Sequence, residues 1–342
     1  MKREPHILFT ATFHASFIQQ DIALLGSMFR LTPVIATGMK AAARYVLALP
    51  KAAVTYSWFA SVYSSFLVLM AKLFGRRSVI VLGGIDVADL HELEYGIWTS
   101  RWRAPIVRYG ITHADAVIAV DGFLKEEAMR LAGYDGDNID VVPTGYDGER
   151  WKPSGAKRPF VLMVASAPDI ARVKIKGVDF YFDVARSMPD TEFVLVGLAA
   201  AMTKQLSVPP NVRVHPFTAP QELLRLYQQA KVYVQCSMRE GLPNALCEAM
   251  LCECVPVGTR RGGIPTAIGD AGFLCDHGDI AAAQHHIKAA LQAPAERGKN
   301  ARTRILEEFT IERRGEALRA LIEHLISSTP YRESKIPRRY HS

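Results

Sequence analysis

Two glutamates with seven residues between them stand in the segment Cys236-Ser-Met-Arg-Glu240-Gly-Leu-Pro-Asn244-Ala-Leu-Cys-Glu248-Ala-Met250. An apolar β-type run, residues 232–235, leads in, and a helical pattern leads out. Gly241 permits close backbone approach in the turn between them, and Pro243 suits a first helical turn. The leading N–H groups of such a helix have no intrahelical acceptor, so they form a ready anion site for a phosphate. Asn244 and Glu248, four apart, share one helix face, whereas Ala245, Leu246, Ala249 and Met250 point elsewhere. A carboxylate on so apolar a helix is costly to bury without donors. Sugar or ribose hydroxyls would serve; the alternative is a capped core helix with Glu248 paired to a neighbouring arginine. Glu240, just ahead of the helix, would project into the same cleft.

Such a turn needs strands to end on it and a second layer to face it. Apolar β-type runs occupy residues 6–10, 33–36, 54–59, 78–82, 116–120 and 139–142; beyond a Pro/Gly/Lys-rich stretch, 143–159, come 160–164, 192–197, 212–214, 232–235 and 254–258. These runs are apolar on both faces and are spaced by helix-length segments such as 177–186 and 220–230, which predicts parallel strands with helical crossovers. Two such series imply two Rossmann-like halves, and ligands then bind where strands end at their carboxyl termini, in the cleft between halves. A last long helix, 301–326, is polar enough to run along a surface. Residues 52–71 carry no charge and are long enough to cross a bilayer, but Thr55, Ser57, Ser61, Ser64 and Ser65 interrupt them. A buried strand over 54–59 and a packed helix over 61–73 is the better reading.

The chain has 342 residues, enough for two domains, with 49% hydrophobic and 22% charged residues, the balance of a soluble globular protein. Its formal charge is +7, yet residues 1–152 hold 16 basic against 15 acidic side chains, and the excess lies in 153–342, with 25 against 19. Half of that second excess sits after Thr329, where Arg332, Lys335, Arg338 and Arg339 face only Glu333. No basic stripe is interleaved with aromatics, which argues against nucleic acid and suits a small anionic ligand. Lys2, Arg3 and Glu4 lead straight into a short apolar run, unlike a signal peptide. All five cysteines fall between Cys236 and Cys275, an odd number that excludes a fully paired disulfide framework and points to the reducing cytosol. Cys247, Cys252 and Cys254 do not have zinc-ligand spacing and read as core thiols. Neither G-x-G-x-x-G nor G-x-x-x-x-G-K-[ST] occurs, which disfavours a dehydrogenase or a P-loop enzyme.

The spacing Glu240…Glu248 in Arg-Glu-Gly-Leu-Pro-Asn-Ala-Leu-Cys-Glu-Ala-Met closely resembles the E-x7-E motif of retaining glycosyltransferases of family 4, which have the GT-B fold. Val255-Pro-Val-Gly258, Gly262-Gly-Ile-Pro265 and Ile268-Gly-Asp-Ala-Gly-Phe-Leu274 look like that family's continuation. Val141-Val-Pro-Thr-Gly-Tyr-Asp147 resembles its interdomain segment, and Lys176-Gly-Val-Asp179 its phosphate-binding lysine turn. The resemblance covers most of 115–280 and is weak before residue 78. It implies an α/β protein of two Rossmann-like, doubly wound parallel-sheet domains facing a central cleft. Residues 1–150 would bind the acceptor and 151–314 the nucleotide-sugar; 315–342 would be a helix and basic tail packing back on the first domain.

On that resemblance Lys176 would bind the donor diphosphate, backbone N–H groups around Gly241, Leu242, Pro243 and Asn244 would hold the phosphate, Glu240 would hydrogen-bond the transferred sugar, and Glu248 the ribose. The implied reaction is retaining transfer from a nucleotide-diphosphate sugar to a glycan, lipid-linked or small-molecule acceptor, with no metal or other cofactor. Asp135-Gly-Asp137, formally a D-x-D, lies among turn formers and reads as a turn. The family's usual Gly-Arg is Ala165-Ser166 here; Arg172 could supply the second cation, with Lys174 competing and a solvated loop as the other reading. Phe13-His14-Ala15-Ser16-Phe17 stands where many members have an early Gly-Gly, and His14 faces the cleft or the surface. Asp86, in Gly83-Gly-Ile-Asp-Val87 at a strand end, either contacts acceptor or sugar as a catalytic residue or shapes a turn. The same fold also admits a nucleotide-sugar epimerase, a glycoside phosphorylase, or a silent partner subunit or sensor. The location expected is cytoplasmic, with Trp98, Arg101, Trp102 and Arg103 available for weak peripheral contact with the inner face of a membrane.

Overall fold

A computed structural model describes residues 5–327. The charged residues before Pro5 and the basic residues after Thr329 lie outside the described residues. The first sheet contains β1 (His6–Ala11), β2 (Arg30–Ile35), β3 (Val54–Trp58), β4 (Arg77–Leu82), β5 (Ala116–Ala119) and β6 (Ile139–Val141), in the order β2-β1-β3-β4-β5-β6. The second contains β7 (Arg158–Ala167), β8 (Glu192–Leu198), β9 (Val212–His215), β10 (Ala230–Gln235), β11 (Val255–Thr259) and β12 (Phe273–Cys275), in the order β12-β11-β10-β7-β8-β9. Every pairing is parallel, with registers such as Thr55↔Ser78, Ile80↔Val117, Val232↔Val161 and Val161↔Phe193. Parallel strands need helices on both faces, which is why β3 is buried at all five positions.

The winding of the second sheet fixes where a ligand can enter. From β7 the chain steps outward through β8 and β9, then returns to place β10 on the other side of β7. The connections after β7 and β10 therefore diverge to opposite faces and leave a crevice between them at the carboxyl ends. In the first sheet the same reversal falls between β1 and β3.

The uncharged stretch 52–71 resolves into β3 and the helix Val62–Leu73, whose N-terminus is closed by Ser61 accepting from the Ser64 N–H at 3.2 Å. Among the described residues no helix is long and apolar enough to cross a membrane. β12 has three residues, too few to show a period in the sequence.

The expected single helix 301–326 is two, Ala295–Glu308 and Ile311–Ser327. The break occurs because the Tyr146 N–H donates to the Phe309 carbonyl at 2.8 Å and Gly145 presses on Ile311, where an added Cβ would lie 2.7 Å from its Cα. The chain crosses to the first half here, ahead of the expected residue 315. Nor does the last helix ride on a surface: it buries Leu318, Leu321, Ile322 and Leu325. Arg314 anchors it, giving both arms of its guanidinium to Asp21 (Nε–Oδ1 and Nη2–Oδ2, each 2.6 Å) and Nη1 to the carbonyls of Val142 and Pro143. Both side chains are 1% exposed, and Tyr56 and Trp58 complete the shell by donating to Asp21 Oδ2.

Candidate active site

Lys176 and Glu240 come from the two connections that flank the crevice of the second sheet. Lys176 ends the helix Ile170–Lys176 after β7; Glu240 lies in the turn after β10. The two turns are joined by backbone, the Met238 N–H donating to the Ile175 carbonyl at 2.8 Å. Gly177 allows this, since a Cβ there would sit 2.1 Å from the Cys236 carbonyl oxygen, and its φ of 69° suits glycine. The result is a Lys176 Nζ–Glu240 Oε1 ion pair of 2.6 Å with both side chains largely shielded. Ser237 Oγ (2.7 Å) and Gln235 Nε2 (3.2 Å) donate to the same oxygen, fixing the carboxylate from below.

Glu248 lies on the helix Asn244–Leu251, which follows Glu240 directly. No ion pair holds Glu248 among the described residues; the paired-arginine reading is not what the fold builds. Its partner is the Tyr227 hydroxyl, donating to Oε2 at 3.3 Å. Burial pushes its pKa up from 4.5 to about 7, opposed by the Tyr227 hydrogen bond and the pull of Arg150. This carboxylate lacks donors enough to stay ionised, and incoming hydroxyls would supply them. Asn244, on the same face, instead accepts from Tyr146 at 3.0 Å, which ties the helix to the interdomain segment.

No side chain caps the Asn244–Leu251 helix, so its leading N–H groups stay available to an anion. The expected cradle needs one correction. Pro243 has no N–H and can donate nothing; the Leu242 side chain packs into the core, which leaves its backbone N–H on the turn. Gly241 is small for the other half of the molecule: a Cβ there would lie 3.1 Å from the Gly83 carbonyl oxygen, Leu124 and Val120. Behind the turn, Gly262 and Gly263 allow equally close packing, a Cβ on Gly263 falling 2.2 Å from the Gly241 carbonyl oxygen.

Asp86 is also corrected. It is 1% exposed, and its carboxylate accepts from the N–H groups of Ala60 (3.0 Å), Gly83 (3.2 Å) and Gly84 (2.7 Å). It shapes the turn after β4 and cannot reach a substrate. Burial raises its pKa, with those backbone donors pulling the other way. Trp98 is likewise turned inward, donating to the Asp86 carbonyl at 2.8 Å, while Arg101, Trp102 and Arg103 remain exposed. His14 is exposed beside Gln19.

Residues 59–150 match the sequence profile described as Glycosyltransferase Family 4, and residues 151–305 the one described as Glycosyl transferases group 1. The chain belongs to the family-4 glycosyltransferases. D-inositol 3-phosphate glycosyltransferase of Segniliparus rotundus is 29% identical over 193 residues, 49% of this chain and 43% of that enzyme, so the chain spans less than half the length of that relative. Alpha-maltose-1-phosphate synthase of Mycolicibacterium smegmatis is 25% identical over 283 residues, 70% of this chain and 72% of that enzyme. Among solved structures, Anabaena HepE in complex with UDP superposes with a TM-score of 0.74 at 16% identity, covering 93% of this chain and all of that one. Sucrose-phosphate synthase from Thermosynechococcus elongatus gives 0.76 at 14%, covering 96% and 100%. The GT-B fold is thereby shown.

The family's Gly-Arg arginine is replaced in sequence by Ala165-Ser166, and the structure separates the two substitutes. Lys174 is exposed, whereas Arg172 turns toward the first half and stacks on Tyr95, 4.9 Å from its ring centroid. Tyr95 was not singled out by sequence; it reaches from the loop after β4 to a position where Arg172, Lys176, Glu240 and Arg239 all act on it, while burial raises its pKa. Arg239 was missed too. It bonds Glu127 at 2.8 Å and the Val87 carbonyl, and stacks on Phe123, clasping the turn that carries Glu240 to the first half. Its adjacency to Glu240 was the available signal. Among the described residues no group of three His, Cys, Asp or Glu side chains is placed to hold a metal ion.

Proposed function

We propose that this chain transfers a sugar, with retention of anomeric configuration and without a metal, from a nucleoside-diphosphate sugar to a glycan, lipid-linked or small-molecule acceptor. One observation carries the reading: Lys176 and Glu240 meet at 2.6 Å across the crevice of the second sheet, beside the uncapped start of the Asn244–Leu251 helix. An arriving diphosphate competes with Glu240 for the Lys176 ammonium, and Arg172 adds a second positive charge at the same mouth. Glu240, released from the lysine but still held by Ser237 and Gln235, turns its free lone pairs to sugar hydroxyls. Glu248 takes the ribose hydroxyls. Charge builds on the departing diphosphate, where donors already aimed at it lower the barrier most. Attack from the same face, with the leaving phosphate accepting the acceptor's proton, needs no carboxylate nucleophile, unlike a retaining glycosidase. HepE, with the same fold, has been crystallised with UDP-glucose, which supports a nucleotide-sugar donor here.

Calorimetry with UDP-, GDP- and ADP-sugars, then proton NMR of the product's anomeric centre, tests the reading. Glu240→Gln should lower kcat far more than it weakens donor binding, and Lys176→Ala should weaken both. Inversion at the anomeric carbon, or unchanged turnover in either variant, defeats it. Transfer to inorganic phosphate would favour a phosphorylase instead.

A further inference from the structure

The near neutrality of residues 1–152 is an average over two unlike parts. Between Asp21 and Asp86 there are 64 residues without a single acid, and they carry Arg30, Lys40, Arg44, Lys51, Lys72, Arg76 and Arg77. Residues 86–152 hold 13 acids against 7 basic residues. The fold gathers much of the acid-free part on one face of the first sheet. There the helix Met39–Ala48, the turn Leu49–Lys51 and the helix Val62–Leu73 pack around a small cluster of Leu8, Tyr45, Leu49 and Leu67. Arg76 Nη2 donates to the Pro50 carbonyl at 2.8 Å, tying the ends of the two helices side by side.

The outer surface of this pair is unusual for a protein facing water. Leu47 is 75% exposed and Leu73 70%, with Val46, Leu69 and Phe74 also exposed. Arg44, Lys51 and Lys72 are exposed among them. Scattered apolar tips need no explanation, but five on adjacent elements, interleaved with cations that make no ion pair among the described residues, mark a contact surface. A second copy of the chain fits poorly, since a two-fold contact would set the same cations against each other. Nucleic acid would use the cations and leave the leucines in water. An anionic bilayer uses both, phosphates taking the cations and the acyl boundary taking the apolar tips.

We propose that this face docks on an anionic phospholipid bilayer. Docking here orients the molecule without inserting the crevice. The Val62–Leu73 helix starts next to Ala60, whose N–H binds Asp86 near the crevice, and its far end carries the patch, about 18 Å away. The surface is distinct from Trp102 and Arg103, and it does not depend on the transfer reaction proposed above.

The test is co-flotation of the full chain with vesicles of phosphatidylcholine containing phosphatidylglycerol, against phosphatidylcholine alone, at low and high salt. The full chain keeps the basic residues after Thr329 in every arm, so two variants isolate the face: Lys51→Gln/Lys72→Gln and Leu47→Ser/Leu73→Ser. The expected result is salt-sensitive binding to the anionic vesicles only, lowered roughly 30-fold by losing two cations and also lowered by the leucine pair. All four side chains are exposed, so far-UV circular dichroism should be unchanged. No binding to anionic vesicles, or binding by either variant equal to that of the wild type, overturns the proposal. So does a concentration-dependent dimer that Leu47→Ser/Leu73→Ser abolishes, because a second copy then covers the face. Since the readout is flotation and not turnover, failure here leaves the transferase reading standing, and the converse also holds.

Discussion

If hydroxyls of the donor ribose hydrogen-bond to Glu248, donor binding must expel a proton, and the amount follows from the structure. Burial holds this carboxyl at about 7, with the Tyr227 hydroxyl and Arg150 opposing it. A group with that value is about nine-tenths protonated at pH 6, half at pH 7 and one-tenth at pH 8. Hydroxyl donors favour the ionised form, so binding at pH 7 should release about half a proton. Affinity should then rise about tenfold from pH 6 to pH 8, or about 1.4 kcal/mol. The assay is titration calorimetry with a nucleoside-diphosphate sugar, which lacks a terminal phosphate titrating in this range, in buffers of different ionisation enthalpy. Glu248→Gln should bind more weakly and lose both the proton release and its share of the pH dependence. The same raised pKa makes the free fold more stable when Glu248 is protonated: that contribution is whole below 4.5 and is lost as pH rises through about 7. Proton uptake instead of release, or an equal release from wild type and Glu248→Gln, would refute the assignment of this carboxylate to the ribose.

Other outcomes follow from the same geometry. Gly263→Ala places a Cβ 2.2 Å from the Gly241 carbonyl oxygen and 2.9 Å from Asp121 Cγ, so the turn carrying Glu240 must move; donor affinity should fall by about tenfold or more with secondary structure intact. Arg314→Ala strands Asp21, 1% exposed, without its cation, and urea denaturation should show a loss of about 3–5 kcal/mol; a loss under about 1 kcal/mol would contradict the anchoring role. Arg239→Ala removes the clasp to Glu127 and Val87, about 1.5–3 kcal/mol of the contact between the two halves, and small-angle scattering should report a larger radius of gyration in the absence of donor.

Local pattern and tertiary placement divide the credit for this molecule unequally. Apolar runs buried on both faces, such as 54–58 and 160–163, announce parallel strands because a sheet covered by helices on both sides tolerates little else. Glu240, Gly241 and Glu248 were legible because strand, turn and helix follow one another within a few residues, so spacing alone sets their faces. Asp86 was not legible. A carboxylate beside two glycines can turn outward to a ligand or inward to N–H groups, and the neighbouring turn at Ala60, contributed by another strand, settled it. The helix break at Phe309 and Thr310 has only a slight local signal, Thr310 Oγ1 accepting from the Arg313 N–H at 3.1 Å to cap the second helix, and Tyr146 fixes the break from far along the chain. Asp21 and Arg314, 293 residues apart, look like ordinary surface charges in the sequence, and only the crossing of the last helix buries them together. The sequence by itself determined which segments are strands and which turn can bind an anion, since both depend on side chains a few positions apart. Tertiary structure alone decided which lysine meets Glu240, which arginine faces the cleft, and that Tyr95 and Arg239 join them. Those choices depend on the order in which strands assemble, and chain spacing does not encode that order.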